Sequence, residues 1–183
     1  PKKVRFSMPE TLKIYILNLN RHPERLEAMQ NQLNGFDVKW ERVEAIDALE
    51  SKEEELFKYI DTTGPIPRMG SGARACTAGH FKIWERFLST GEPVAFILED
   101  DVKISQHFSA FIREASKFAD DVDILNFNRQ NSRRAQKKLI VSKIGTVDEV
   151  SFSALRLLGP HYGTAGYMIT RAAADHLVNT IKR

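Results

Sequence analysis

The chain has one cysteine, Cys76, in 183 residues, so no internal disulfide can brace it. No apolar run approaches the roughly 20 residues that a helix needs to cross a bilayer, and no signal-peptide pattern opens the sequence. These two absences together lead to the expectation of a cytoplasmic protein, or one held peripherally at the cytoplasmic face of a membrane. The five histidines are scattered, so a phosphoesterase with two clustered metal ions lacks its second set of ligands. Helix-turn-helix, zinc-finger and RNA-recognition signatures are missing, and no aromatics are interleaved with the basic residues. Nucleic acid is therefore not an expected partner. There is no internal repeat and no low-complexity segment.

The apolar share, 42%, is enough for a real core, and the length fits a single domain. The net charge of +3 hides an asymmetry. Residues 1–101 carry 14 Lys and Arg against 17 Asp and Glu, whereas residues 102–183 carry 13 against 7. The excess gathers in Arg129, Arg133, Arg134, Lys137, Lys138 and Lys143. Such a segment suits an anionic substrate or an anionic membrane surface, although the segment itself reads as a loop whose basic side chains are simply solvated. Residues 1–7 read as a basic extension, disordered or added for expression, with Met8-Pro9-Glu10 resembling a native start. Residues 8–183 then form the single folded unit.

The most informative run is Val94-Ala-Phe-Ile-Leu-Glu-Asp-Asp101. Its apolar part reads as a strand buried on both faces, leading straight into Glu99, Asp100 and Asp101. Three adjacent carboxylates repel one another, and a divalent cation relieves that repulsion. Hard oxygen donors suit Mg²⁺ or Mn²⁺. The carboxyl end of a buried α/β strand is also where open sheets place their ligands. The plainer alternative is a helix cap with two solvated neighbours.

Other elements follow from periodicity. Ile14 to Leu19 reads as a strand, and Pro23 opens a helix that Asn34-Gly35 stops. Val38 to Val43 is a second strand, giving a β-α-β start and a parallel pair. The acidic stretch Leu49 to Ile60 is expected to be helical, and Thr62 to Gly72 to be a loop. Ala78, Phe81, Trp84, Phe87 and Leu88 recur at helical spacing. His107 to Phe118 reads as a helix, Asp123 to Asn128 and Gly163 to Thr170 as strands, and the chain from Arg171 as a last helix. Strands and helices alternate, so the class is α/β.

Several of these pieces, in this order, resemble glycosyltransferase family 25, which includes lipooligosaccharide and procollagen galactosyltransferases. The resemblance is carried by Asn18-Leu19-Asn20-Arg21 with Glu24-Arg25, then Ala45-Ile46-Asp47, then Gly72 through Cys76 with Gly79-His80-Phe81-Lys82-Ile83-Trp84. It continues through Leu98-Glu99-Asp100-Asp101 and Gly166-Tyr167-Met168-Ile169-Thr170-Arg171. Two features depart from the family's pattern. Gly79 stands where the family usually has serine, and Arg74-Ala75 where a glycine-containing pair is common. Family members also continue past the late signature, so the resemblance implies a shortened member or a fragment.

The resemblance implies a GT-A-like fold, a mostly parallel sheet flanked by helices that binds a nucleotide sugar. It implies a metal-dependent, inverting transfer of a hexose, galactose first, from a UDP-sugar to a glycan, lipooligosaccharide or protein acceptor. Mn²⁺ or Mg²⁺ is the implied cofactor. Asp101 is the first choice for the cation, with Glu99 beside it, and Glu99 or Asp100 for ribose or supporting contacts. Asn18, Arg21, Arg25 and Asp47, near the ends of the first two strands, are the candidates for nucleotide contacts. Arg25 has a rival role as a surface ion-pair partner, and Asp47 as a helix cap. His80 is either a hydrogen-bonded core residue or part of the site, Trp84 is read as core, and Cys76 as a small apolar residue. Inversion requires a base; Asp123 and His161 are the candidates, with strand-start and turn roles as alternatives. The rival function is a catalytically silent nucleotide-sugar-binding or interaction domain of the same family.

Overall fold

Residues Ile14 to Asn18 are all buried in the computed structural model, which describes residues 12–59, 69–127, 141–147, 152–157 and 163–181. They belong to β1 (Lys13–Asn18), followed by α1 (Pro23–Leu33), β2 (Lys39–Glu44) and the short α2 (Glu53–Phe57). Next come α3 (Ser71–Leu88), β3 (Val94–Glu99), and α4 (Phe108–Ser116) with a 3₁₀ turn at Lys117–Asp120. The chain continues through β4 (Ile124–Asn126), β5 (Val141–Val147), β6 (Phe152–Leu157), β7 (Gly166–Thr170) and α5 (Arg171–Ile181).

Five strands form one sheet in the order β2-β1-β3-β7-β4. The first three are mutually parallel, as the β-α-β reading predicts, and β7 runs antiparallel between β3 and β4. Pleating sends alternate residues to opposite faces. Tyr15, Leu17, Ala95 and Ile97 meet Phe81, Trp84 and Phe87 of α3 and Ala174 of α5 on one face. Ile14, Ile16, Phe96 and Leu98 meet Met29 and Leu33 of α1 and Phe108 and Ile112 of α4 on the other. The central strands lack a polar face because helices cover both sides. The result is the expected α/β architecture, an open and mostly parallel sheet consistent with the GT-A type.

Local chemistry sets the helix ends. Pro23 occupies the first turn of α1, and Gly35, at φ 93°, lets the chain leave it in a backbone conformation that a side chain disfavours. Three expectations change. The helix foreseen over Leu49–Ile60 shrinks to Glu53–Phe57; before it, Asp47 draws the chain into a turn by accepting from the Leu49 and Ser51 backbone amides. The helix α3 begins at Ser71, inside the foreseen loop. Its first turns are built from small residues, with Ala75 buried against Leu56, and small residues leave little apolar signal. The basic segment was expected to be loop, yet Lys143 lies in β5, which pairs with β6 as a separate antiparallel ribbon.

Gly79 explains one departure noted in the sequence. A Cβ there would sit 3.0 and 3.1 Å from the two methyls of Leu17, so its absence lets α3 settle close on β1. Gly79→Val should destabilise the chain by about 1–3 kcal/mol through overpacking and should lower the urea midpoint. A midpoint equal to wild type would show that Leu17 yields freely.

Candidate functional site at the carboxyl ends of the parallel strands

Because β1, β2 and β3 are parallel neighbours, Asn18, Glu44 and Glu99 end at one edge of the sheet. The pleat then splits the three acids. Glu99 continues the face covered by α3, whereas Asp100 turns toward α1 on the opposite side. Asp101 is exposed and makes no hydrogen bond or ion pair among the described residues. The triplet is therefore three separate environments.

Asn18 organises the Asp100 side. Only 1% exposed, it donates from Nδ2 to Asp100 Oδ2 (2.7 Å) and to the His22 carbonyl (2.9 Å). Its Oδ1 accepts from Arg42 Nε at 2.9 Å, and Arg42 also donates to Asn20, which donates in turn to Glu44. Arg25, in the first turn of α1, reaches Asp100 at 3.4 Å. Of the two roles open to Arg25, the ion pair is made with the acidic motif itself. Arg42 was not singled out from sequence, since it reads as the polar member of an alternating strand.

A cleft of about 660 Å³ opens over the ends of β1 and β2. Asn20, Arg21, Glu44, Asp47, Tyr59 and Lys82 are among its lining residues. Arg21 donates to Asp47 at 2.8 Å, and Lys82 of α3 donates to the Glu44 carbonyl at 2.7 Å. Asp47 thus combines its turn-forming role with an ion pair at the rim. The cleft offers cations for phosphate and carboxylates for hydroxyl groups.

On the α3 side, His80 is buried and joins two of the sequence motifs. One ring nitrogen, Nδ1, shares a hydrogen bond with the Tyr167 hydroxyl (3.0 Å), which also accepts from Trp84 Nε1 (2.9 Å). The other, Nε2, faces Glu99 Oε1 at 3.4 Å, and the Thr164 hydroxyl donates to the same oxygen at 2.6 Å. Burial opposes a charge on His80, but hydrogen bonds with Cys76 and Glu99 outweigh it and raise its pKa above the ordinary value. The His80 hydrogen bond, assisted by Thr164 against the cost of burial, holds the Glu99 carboxyl below the usual range. Burial pushes the Tyr167 phenol upward. His80 is thus both a bonded core residue and a partner of the acidic motif. Thr164 and Tyr167 were not foreseen as site residues, because only the tertiary fold brings β7 beside β3.

The two candidates for the base fare differently. Asp123 precedes β4, and its carbonyl accepts from Thr170 at the opposite end of the sheet from Glu99. The fold does not bring Asp123 to the acids, so its strand-start role is the one observed. His161 lies outside the described residues, as do Arg129, Arg133, Arg134, Lys137 and Lys138.

An open sheet with acids, cations and a cleft at its carboxyl edge defines an α/β protein whose candidate site lies where such sheets place their ligands. The sequence signature described as glycosyltransferase family 25 (LPS biosynthesis protein) matches residues 11–183, and the chain belongs to this family. It is 26% identical to a glycosyltransferase 25 family member of Aedes aegypti over 90% of this chain and 27% of that protein. The lipooligosaccharide biosynthesis protein lic2B of Haemophilus influenzae is 24% identical over 89% of this chain and 61% of its own length. Mouse procollagen galactosyltransferase 2 is 24% identical over 91% and 27%. The chain thus spans between about a quarter and three fifths of the length of these relatives. Among the described residues no helix is long and apolar enough to cross a membrane.

Proposed function

We propose that this chain is the nucleotide-sugar-binding unit of a metal-dependent, inverting hexosyltransferase that takes a UDP-sugar, galactose being the first expectation. The acceptor is a glycan, a lipooligosaccharide or a protein, in line with the names of the relatives. The observation that carries this reading is the gathering of Asn18, Arg21, Arg25, Asp47 and Asp100 along one sheet edge, next to a cleft of nucleoside size. A cytoplasmic site of action, with basic residues against an anionic membrane surface, completes the proposal.

The residues fit a hard divalent ion. Asp101 offers carboxylate oxygens that are unengaged among the described residues, whereas Asp100 already faces the Arg25 guanidinium and accepts from the Asn18 amide. Mn²⁺ or Mg²⁺ held by Asp101 would supply charge neutralisation for a leaving diphosphate. The protein's own part is to bind and orient: Arg21 toward phosphate, Asp47 and Asp100 toward hydroxyls, and Asn18 to hold Asp100 in place.

A melting curve tests the reading. UDP with Mn²⁺, at about 100 times the dissociation constant, should add roughly 2.7 kcal/mol, and neither component alone should do so. No joint stabilisation would refute the proposal. Arg21→Ala should weaken UDP binding about 10–100-fold, the worth of a charged hydrogen bond. Its exposed pair with Asp47 contributes at most about 1 kcal/mol, so the melting point should barely move. Isothermal titration beside thermal melting checks both halves.

The second reading, a silent binder, is favoured by the placement of Asp123 away from the acids. UDP release from UDP-sugar separates the two, because only the transferase shows turnover.

A further inference from the structure

Cys76 and His80 stand one helical turn apart on α3 and point toward the same oxygen-bearing end of β3. The Cys76 sulfur, a His80 ring nitrogen and a Glu99 carboxylate oxygen all lie within 4.8 Å of one another. Three different donor types converging from two elements is not what apolar packing produces. We propose that Cys76, His80 and Glu99 form a binding site for a borderline-soft transition ion of the Zn²⁺ class, separate from the hard-cation position at Asp101. The inference stands apart from the transferase reading and does not need it.

The donor set decides the ion. A thiolate and an imidazole favour Zn²⁺ over Mg²⁺ or Mn²⁺, which prefer oxygen. Around a tetrahedral Zn²⁺ at about 2.0–2.3 Å from each donor, neighbouring donors stand roughly 3.3–3.6 Å apart. His80 Nε2 and Glu99 Oε1 already stand at 3.4 Å, so small side-chain rotations complete the set. The surroundings match a ligand-orienting shell. The far nitrogen of His80 is held by Tyr167, itself fixed by Trp84, and Glu99 is held by Thr164. Cys76 and Glu99 are only partly buried and Thr164 is exposed, so an ion can enter and a fourth position stays open to water. On binding, the thiol proton and any proton on the coordinating nitrogen pass to the buffer. The ion would tie α3 to β3.

Cys76 is the only cysteine in the chain, so thiol chemistry reports on this site alone. In the metal-free chain, iodoacetamide should alkylate Cys76, and stoichiometric Zn²⁺ should slow that reaction roughly tenfold or more by withdrawing the free thiolate. A chelator should restore it. Co²⁺ should give a thiolate charge-transfer band that Zn²⁺ removes. That band should vanish in Cys76→Ser and weaken in His80→Asn, yet persist in Asp101→Asn. Tyr167→Phe should weaken Co²⁺ binding about 10–100-fold, as loss of an outer partner does. Unchanged alkylation with Zn²⁺ overturns the proposal, and this test needs no variant. A cobalt band that survives Cys76→Ser overturns it too. If Zn²⁺ protects Cys76 while UDP and Mn²⁺ fail to stabilise the chain together, the zinc site stands and the transferase reading falls. The reverse pattern separates them in the other direction.

Discussion

Asp101→Asn is expected to lower Mn²⁺-dependent turnover of a UDP-sugar by about 10²–10³-fold while leaving the fold intact. The size follows from charge stabilisation by a bound cation, worth several kcal/mol in a transition state, at 1.36 kcal/mol per tenfold in rate. Replacing a carboxylate by an amide keeps the shape and removes the charge that a hard ion requires. The fold should not notice: Asp101 is exposed and supports nothing among the described residues, so stability should change by no more than about 0.5 kcal/mol. Asp100→Asn offers the contrast. Its carboxylate is bonded to Asn18 and faces Arg25, so it should lose stability as well as activity. Turnover measured as UDP release, beside calorimetric titration with Mn²⁺ and UDP, checks the prediction. If Asp101→Asn keeps most of its turnover, the cation is not held there.

The sheet was readable in the sequence where burial on both faces made strands continuously apolar. Ile14–Leu19 and Val94–Leu98 stand out for that reason, and the acids that end the second run mark the edge where the site forms. The start of α3 was hidden because Ala73 and Ala75 carry little hydrophobic contrast, although Ala75 is as deeply packed as a larger residue. The ribbon β5–β6 was masked by its charge and by Gly145, where the register shifts. Within the site, sequence proximity set Glu99, Asp100 and Asp101 side by side, Asp101 first for the cation and Glu99 or Asp100 for ribose or supporting contacts, without showing their separate surroundings. Pleating divides them, one to each face and one to solvent. No local signal announces that Thr164 and Tyr167, more than sixty residues downstream, complete the surroundings of Glu99 and His80. That contact exists only because β7 inserts antiparallel beside β3.

Asn18 is where stability and site geometry are the same quantity, so its substitution should move both. Both amide protons are donated, to Asp100 and to the His22 carbonyl, and the oxygen accepts from Arg42. An apolar residue of similar size, as in Asn18→Leu, leaves a carboxylate, a guanidinium and a carbonyl without their buried partner. Asn18→Asp is harsher. It keeps the shape and the bond from Arg42 but replaces both donors by a carboxylate facing the Asp100 carboxylate. Loss of a charge-assisted bond, with a second charge placed against the first, should cost about 2–4 kcal/mol. For a chain of this length that lowers the melting temperature by roughly 5–15 °C. Because Asp100 would turn away from its present position, UDP affinity in the presence of Mn²⁺ should fall in parallel. A double substitution distinguishes geometry from packing: Asp100→Asn in the Asn18→Asp background restores an amide–carboxylate pair with the roles exchanged. It should recover most of the lost stability but not the affinity, since the charge would then sit on β1 rather than on the acidic motif. Recovery of both would mean that Asp100 contributes no charge to the nucleotide, and no recovery of either would mean that the amide of Asn18 matters to its own strand and not to Asp100.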